Sequence, residues 1–448
     1  MYIGKYLKQC NEVYHTTLNP RSSNVCRIHL VPPKKPSGRA PWAVVVNGYY
    51  VLPLQCSWAV LLKLFIGQIN RTDRKTYRAK TEKGIIDAAA TQAKKIFVTV
   101  DKKTLSDDLT EIIETLRDVA EGKSPSSRVG FMTVARYAKN MSAPHRMDLM
   151  VASMRKNGVW NCNQKCLHCY AADEPLGERE ELPTEAWKKI IDNCRKAHVP
   201  SLTFTGGEPT TRPDLPELID HAKWFVTRLN TNGVLLTEEL CAKLYKASLD
   251  SVQITLYSDK EEIHNSLVGA DRFRETVQGI RNAVNARLDV SVNTPLCDKN
   301  EDYLSTVRFC EGLGVRYFSC SGLIPTGNAS KNPSSATALS EQRLTDAVRR
   351  AYLYAERKGL DVSFTSPGLI DEEDLKMMNM VVPSCGACLS NMAIAPDGSV
   401  LPCQSWLAGD ELGNMLTDRW DKIFNGKICK KIRKKAVRKE KTCLLRTK

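Results

Sequence analysis

The sequence predicts an α/β protein built on a parallel sheet, with a small α+β region before it and a cysteine-bearing region after it. Three observations carry this. Between about 146 and 325, apolar runs alternate with amphipathic stretches, and repeated strand–helix units specify a parallel sheet with helices outside, open or closed into a barrel. Cys162, Cys166 and Cys169 follow the first expected strand, "MDLMVASM" at 147–154, where the carboxyl end of a strand would carry a site. Cys385, Cys388 and Cys403 form a second group beyond the sheet.

The totals set bounds. A chain of 448 residues, 42% hydrophobic and 26% charged, is ordinary for a soluble globular protein of several domains. Its start, "MYIGKYLKQC", lacks the apolar core of a signal peptide. The most apolar run, 51–67, is broken by Pro53, Gln55 and Lys63 before it reaches the roughly 20 residues of a membrane span. A cytoplasmic protein with no membrane partner is expected. The 16 cysteines are clustered rather than spread as a disulfide framework. Cys10, Cys26, Cys56, Cys194, Cys241, Cys297, Cys310 and Cys320 read as isolated core thiols. About two thirds of the net charge of +15 lies in Lys427–Lys448, where Glu440 is the one acidic residue. Without interleaved aromatics for base stacking, this tail reads as a solvated helical end, and nucleic acid is not an expected partner.

Residues 1–125 hold two short apolar runs, 42–54 and 95–100, the first centred on the hairpin signal Asn47-Gly48. A helix follows from about Ser57. Another spans 105–121, with Leu105, Leu109, Ile112, Leu116 and Val119 on one stripe. "EGKSPSSR" at 121–128 opens a linker that runs to about 145. In the alternating region, 146–335, helices are expected at 184–197, 214–222, 238–247, 272–286 and 302–313. Strands are expected at 201–205, 225–231, 251–257, 289–295 and 315–322. A connecting helix and strand at 336–375 lead to the second cysteine region, 376–448.

The spacing of Cys162, Cys166 and Cys169 supplies three thiolates from one loop. Structural zinc wants four ligands, and His168 is badly placed to be one beside Cys169. A cubane iron–sulfur cluster with one iron left open suits the spacing better. "TFTGGEPT" at 203–210 places a glycine pair directly after a strand, where backbone can approach a small molecule and Glu208 could receive an ammonium group. Taken alone, the same residues could make an ordinary turn.

Together, the C-x3-C-x2-C motif and Gly206-Gly207-Glu208-Pro209 resemble the radical S-adenosylmethionine superfamily. The resemblance implies a partial (β/α)6 barrel and a 4Fe–4S cluster on Cys162, Cys166 and Cys169. The open iron would chelate S-adenosylmethionine, with the Gly206–Pro209 segment at its amino group and His168 and Tyr170 flanking adenine. Asn232, in "TNG", and Ser258 are similar to the ribose and carboxylate contacts. The implied chemistry is reductive cleavage to a 5′-deoxyadenosyl radical, fed by a flavodoxin- or ferredoxin-type electron donor.

In the third constellation, Cys385-x2-Cys388 is followed by a hairpin turning at Asp397-Gly398 and by Cys403. A zinc knuckle is the alternative, but the spacing, "LGNM" at 412–415 and Trp420 resemble the SPASM or twitch auxiliary-cluster region. One auxiliary 4Fe–4S cluster is implied, with Cys443, or alternatively Cys429, as fourth ligand; if neither reaches it, one iron stays open to bind substrate. Residues 1–125 are similar to the small peptide-recognition domain of ribosomal-peptide maturases, although a winged-helix or purely structural role is also open. The expected activity is oxidative modification, such as cross-linking, of a ribosomally made precursor peptide. The alternatives are oxidation of a small molecule or haem precursor, or a zinc-stabilised basic RNA-binding protein.

Overall fold

An antiparallel sheet and a mostly parallel one organise the chain in the computed structural model, which describes residues 3–19, 25–36, 38–72, 79–331, 337–439 and 441–447. Met1–Arg146 with Cys194–Pro200 form one unit, and Met147–Asn193 with Ser201–Lys448 form the other.

In the first unit, helix α1 (Ile3–Leu7) precedes β1 (Tyr14–Leu18), β2 (Cys26–Val31), β3 (Trp42–Val46) and β4 (Tyr50–Leu54). These strands pair antiparallel in the order β1-β2-β3-β4. Asn47 and Gly48 sit in the β3–β4 turn at φ 51° and 70°, the left-handed pair that a tight hairpin demands. Four helices follow: α2 (Cys56–Arg71), α3 (Ala79–Lys94), α4 (Lys102–Ala120) and α5 (Val134–Asn140). Asp101 caps α4 by accepting from Thr104 N at 2.9 Å. The stripe Leu105, Leu109, Ile112, Leu116 and Val119 is buried in one core with Val44, Leu52 and Phe65.

Several elements were not expected. β1 and β2 are short, and His15, Thr16 and Arg27 break their apolar pattern. α3 fills part of the basic stretch at about 68–95, of which 73–78 lie outside the described residues. The apolar run 95–100 forms turns, over which Lys94 Nζ donates to Val98 O and Val100 O at 2.9 and 2.8 Å. α5 lies within the stretch read as a linker.

The second unit's sheet begins with β5 (Arg146–Ala152). A small hairpin, β6 (Arg155–Lys156) and β7 (Val159–Trp160), follows, and then strand and helix alternate: α6 (Thr184–Lys196), β8 (Ser201–Gly206), α7 (Leu215–His221), β9 (Val226–Thr231), α8 (Glu238–Lys246) and β10 (Ser251–Thr255). Next come α9 (Glu261–Val268), α10 (Phe273–Asn285), β11 (Asp289–Pro295), α11 (Tyr303–Glu311), β12 (Tyr317–Ser321), α12 (Asn328–Lys331), α13 (Glu341–Lys358) and β13 (Asp361–Phe364). The chain closes with α14 (Glu372–Met377), β14 (Asn391–Ile394), β15 (Val400–Leu401), α15 (Trp420–Phe424) and α16 (Lys427–Arg438). The strand order is β13-β12-β11-β10-β9-β8-β5-β14-β15. Every neighbouring pair from β8 to β13 is parallel, while β14 and β15 are antiparallel. Two features go beyond the sequence reading: β13 extends the parallel run past β12, and the β14–β15 hairpin joins the same sheet beside β5.

α9 was also unexpected, and it bears on the site. His264 on this helix is fully buried, accepts from Tyr257 N at 3.3 Å and faces the Tyr257 and Phe273 rings. Burial lowers its pKa from 6.5 to about 4. The unfolded chain therefore takes a proton below pH 6.5 that the folded chain refuses. Stability present above that pH is lost as the pH falls toward 4, by roughly 3 kcal/mol from this group. Urea titrations at pH 7 and 4.5 should show this loss, and His264→Asn should flatten it.

Candidate active site

The loop 161–169 has no regular structure, and bonds to several other segments set its shape. Asn161 N donates to Met154 O at 2.9 Å, and Trp160 Nε1 donates to Gln164 O at 2.9 Å. Lys165 N and Leu167 N donate to the last carbonyls of α9, Val268 O and Leu267 O, at 2.9 and 2.8 Å. That helix ends at Gly269, in the left-handed region with φ 62°, and a side chain there would strike the Lys165 carbonyl. From beyond β12, Asn328 donates through its backbone to Cys169 O at 2.9 Å and through Nδ2 to Cys166 O at 3.0 Å.

The glycine pair works by close approach. Gly206 ends β8 at φ 139°, and a Cβ there would overlap the Ala152 carbonyl of β5. Gly207 N donates to that carbonyl at 2.8 Å, and a Cβ on Gly207 would lie 2.8 Å from Ser153 O. Pro209 then opens a turn of 3-10 helix. The Glu208 carboxylate is buried and already engaged. Its Oε1 accepts from Thr210 N, Thr210 Oγ1 and Thr231 Oγ1 at 2.9, 2.5 and 2.6 Å, and its Oε2 accepts from Asn232 N at 2.8 Å. Burial raises its pKa, and these four donors oppose the rise. Glu208 thus ties the end of β8 to the end of β9, with capacity at Oε2 for a further donor. Asn232 Nδ2 also donates to Asn163 Oδ1 at 2.5 Å, so the "TNG" turn and the cysteine loop meet.

The three thiols share one electrostatic neighbourhood. Burial, and then the nearby Glu208 charge, push Cys162 up to about 12. Cys166 is pushed well above the ordinary thiol value by burial and by Cys169 and Cys162, and Cys169 is raised by burial. Three thiolates cannot share such a space without a cationic centre. Asn163 Nδ2, Gln164 Nε2, His168 Nδ1 and Thr326 Oγ1 are buried without a hydrogen-bond partner among the described residues. These thiols and orphaned polar atoms fit a charged cluster and a polar ligand. The remaining expected contacts are spread around this point. His168 Nε2 pairs with Thr337 Oγ1 at 3.2 Å, and burial holds its pKa low. Tyr170 bonds Thr205 and lies near Asp148 and Cys403, so its surroundings differ from those of His168. Ser258 is buried, accepts from Lys260 N at 3.1 Å, and follows Tyr257, whose hydroxyl feels Cys166 and Cys169.

The second cysteine group brings five thiols together. Asp397-Gly398 turns between β14 and β15 with Gly398 at φ 89°, as the sequence predicts. Cys388 takes the left-handed region, φ 58°, and donates from its backbone to Pro402 O at 3.0 Å. Cys403 is pushed up to about 12 by burial, with Cys385 and Cys443 close by. The Cys388 and Cys429 thiols hydrogen-bond each other, raising the first and lowering the second. Arg433 Nη2 donates to Cys429 Sγ at 3.2 Å and to Phe424 O at 2.8 Å, while its Nε donates to Cys388 O at 2.8 Å. Both residues named as alternative fourth ligands are therefore present. Among the described residues, no three His, Cys, Asp or Glu side chains close on one point as a single metal ion requires.

Sequence reasoning missed Asn163, Asn328, Arg433 and Asp148. Asn163 lies inside the cysteine motif, Asn328 follows Gly327 past the last expected strand, and Arg433 stands one helical turn after Cys429. Asp148 sat unnoticed within the first strand. Gly206→Ala should part β8 from β5 and cost more than about 2 kcal/mol, read as a thermal midpoint lowered by at least about 4 °C.

Comparison with known proteins agrees with this geometry. The Radical SAM superfamily profile matches residues 161–310, and the SPASM iron-sulfur cluster-binding domain profile matches residues 385–444. The AdoMet-dependent heme synthase of Oleidesulfovibrio alaskensis is 28% identical over 323 residues, covering 68% of this chain and 81% of that protein. Streptococcus suis SuiB bound to S-adenosylmethionine superposes with a TM-score of 0.60 at 15% identity, over 92% of this chain and 89% of SuiB. SuiB bound to its precursor peptide SuiA gives 0.59 at 14% identity, over 88% of each chain. The anSMEcpe structure with bound AdoMet gives 0.53 at 17% identity, over 65% of this chain and 84% of that one. The chain carries a Radical SAM domain over residues 161–310 and a SPASM domain over residues 385–444, which mark it as an enzyme whose cofactors are a 4Fe–4S cluster with S-adenosylmethionine and auxiliary iron–sulfur.

Proposed function

We propose that this enzyme oxidatively modifies, and in particular cross-links, a ribosomally made precursor peptide in the cytoplasm. The observation that carries the reading is the first unit, a four-stranded antiparallel sheet packed with helices. Extended peptides bind such sheets by adding a strand to an edge. Each edge already accepts one bond, β4 from the backbone Met132 N on Val51 O and β1 from the side-chain Asn70 Nδ2 on His15 O, both at 2.8 Å; β1, met there by a side chain and not by another backbone segment, is the candidate edge. SuiB, whose fold covers this chain, binds a precursor peptide. Among the described residues no helix is long and apolar enough to cross a membrane. The heme synthase similarity favours a second reading, oxidation of a haem precursor.

In the site, Cys162, Cys166 and Cys169 would hold the cluster, and the Gly206–Pro209 segment with Asn232, Ser258, His168 and Tyr170 would seat S-adenosylmethionine. Bound there, these groups would supply radical hydrogen-atom abstraction from the substrate. The chain's own part is to fix and enclose. The α9 carbonyls and Asn328 hold the cysteine loop, and Glu208 locks the two turns that face it. Burial keeps competing hydrogen donors away. Cys385, Cys388 and Cys403, with Cys443 or Cys429, would hold the auxiliary cluster. Five thiols exceed the four that a cubane takes, so full protein ligation is the better reading than an open auxiliary iron.

Replacing Cys162, Cys166 and Cys169 with Ala should reduce 5′-deoxyadenosine formation to background. Replacing Cys385, Cys388 and Cys403 should leave 5′-deoxyadenosine but stop product formation; chromatography with mass detection reads both. Hydrogen exchange tests the substrate class. A precursor peptide should slow amide exchange in Tyr14–Leu18, whereas a haem-precursor enzyme would show no such protection.

A further inference from the structure

Helix α16 has two unlike faces. Cys429, Ile432 and Ala436 are buried on its inner side, and Arg433 turns inward to the Cys429 sulfur. On the outer side Lys427, Lys431, Lys434 and Arg438 recur at steps of four, three and four residues and so form one stripe, flanked by Lys430 and Lys435. All six are exposed, and the helix contains no acidic residue. None of the six forms an ion pair with a described residue. Like charges this close repel, and no ion pair with a described residue offsets them. Ile428 and Val437, 47% and 43% exposed, add apolar contact area beside the stripe.

Such a field favours an acidic partner and speeds its arrival. Whatever rests on the stripe is separated from Cys429 by little more than the helix, about 10–12 Å across. We propose that the outer face of α16 docks an acidic electron-carrier protein of flavodoxin or ferredoxin type, which passes one electron through this face to the auxiliary cluster. The carrier is oxidised by one electron, the cluster is reduced by one, and no bond forms or breaks. This rests on the reading that the five thiols hold that cluster. The stripe has no aromatic side chain on which a base could stack, which sets a protein partner above a nucleic acid.

The test drives the holoenzyme either with reduced flavodoxin or with dithionite, which needs no docking surface. In the Lys431→Glu/Lys434→Glu/Arg438→Glu variant, reduction of the auxiliary cluster by flavodoxin, read from its paramagnetic resonance signal, should slow about tenfold or more, with the dithionite-driven reduction unchanged. The matching Gln variant should lose less, and flavodoxin affinity for the wild type should weaken as salt rises. Equal rates with flavodoxin in variant and wild type would overturn the proposal, and so would equal losses with both reductants. Binding of single-stranded RNA at this face, with no flavodoxin binding, would overturn it in favour of a nucleic-acid surface. The iron content and paramagnetic resonance signal of a Cys162/Cys166/Cys169→Ala variant report the auxiliary cluster itself, so failure of that reading is seen separately.

Discussion

The backbone clamp on residues 161–169 is the constraint on which the second unit's site depends. A loop with three inward thiols cannot hold its shape through its own packing, since burial of those thiols is costly once they ionise. The chain meets this by borrowing carbonyls and donors from elements far away in sequence. The last turn of α9 receives Lys165 N and Leu167 N, and Asn328 donates to the carbonyls of Cys166 and Cys169. Gly269 permits one of these approaches, because any side chain would hit the Lys165 carbonyl. The same economy governs Gly206, whose missing side chain lets β8 lie against β5.

The two cysteine groups are linked through β5. Its neighbours in the sheet are β8, which leads into Gly206–Pro209, and β14, which leads out of the Cys385/Cys388 segment. Tyr170 makes the link concrete, since its hydroxyl bonds Thr205 and lies close enough to both Cys169 and Cys403 to feel their charge. Asp148 on β5 is buried in the same neighbourhood. That arrangement suits an oxidation in which one site starts the reaction and another takes up the remaining electron.

Much of this was legible in the sequence, for identifiable reasons. The strand–helix alternation is visible because buried sheet strands such as "MDLMVA" in β5 are nearly continuous apolar runs. Asn47-Gly48 and Asp397-Gly398 announce their turns because few residues tolerate the positive φ that Asn47, Gly48 and Gly398 adopt. Other features depend on partners far away in the chain. Nothing local marks Asn328 as a clamp, since its role lies in the carbonyls it meets. Glu208 illustrates the limit most clearly: its position after the glycine pair suggested an acceptor for a ligand, and only the fold shows the four donors from two turns that it also takes, three on Oε1 and one on Oε2. The choice between Cys429 and Cys443 was open for the same reason, and folding brings both to the group.

The central claim is that these two thiol groups hold iron–sulfur clusters. Iron, sulfide and zinc analysis of the full chain, reconstituted without oxygen, tests it most directly. Two cubane clusters predict about eight irons and eight sulfides per chain. One or two zinc ions per chain with no acid-labile sulfide would contradict the account.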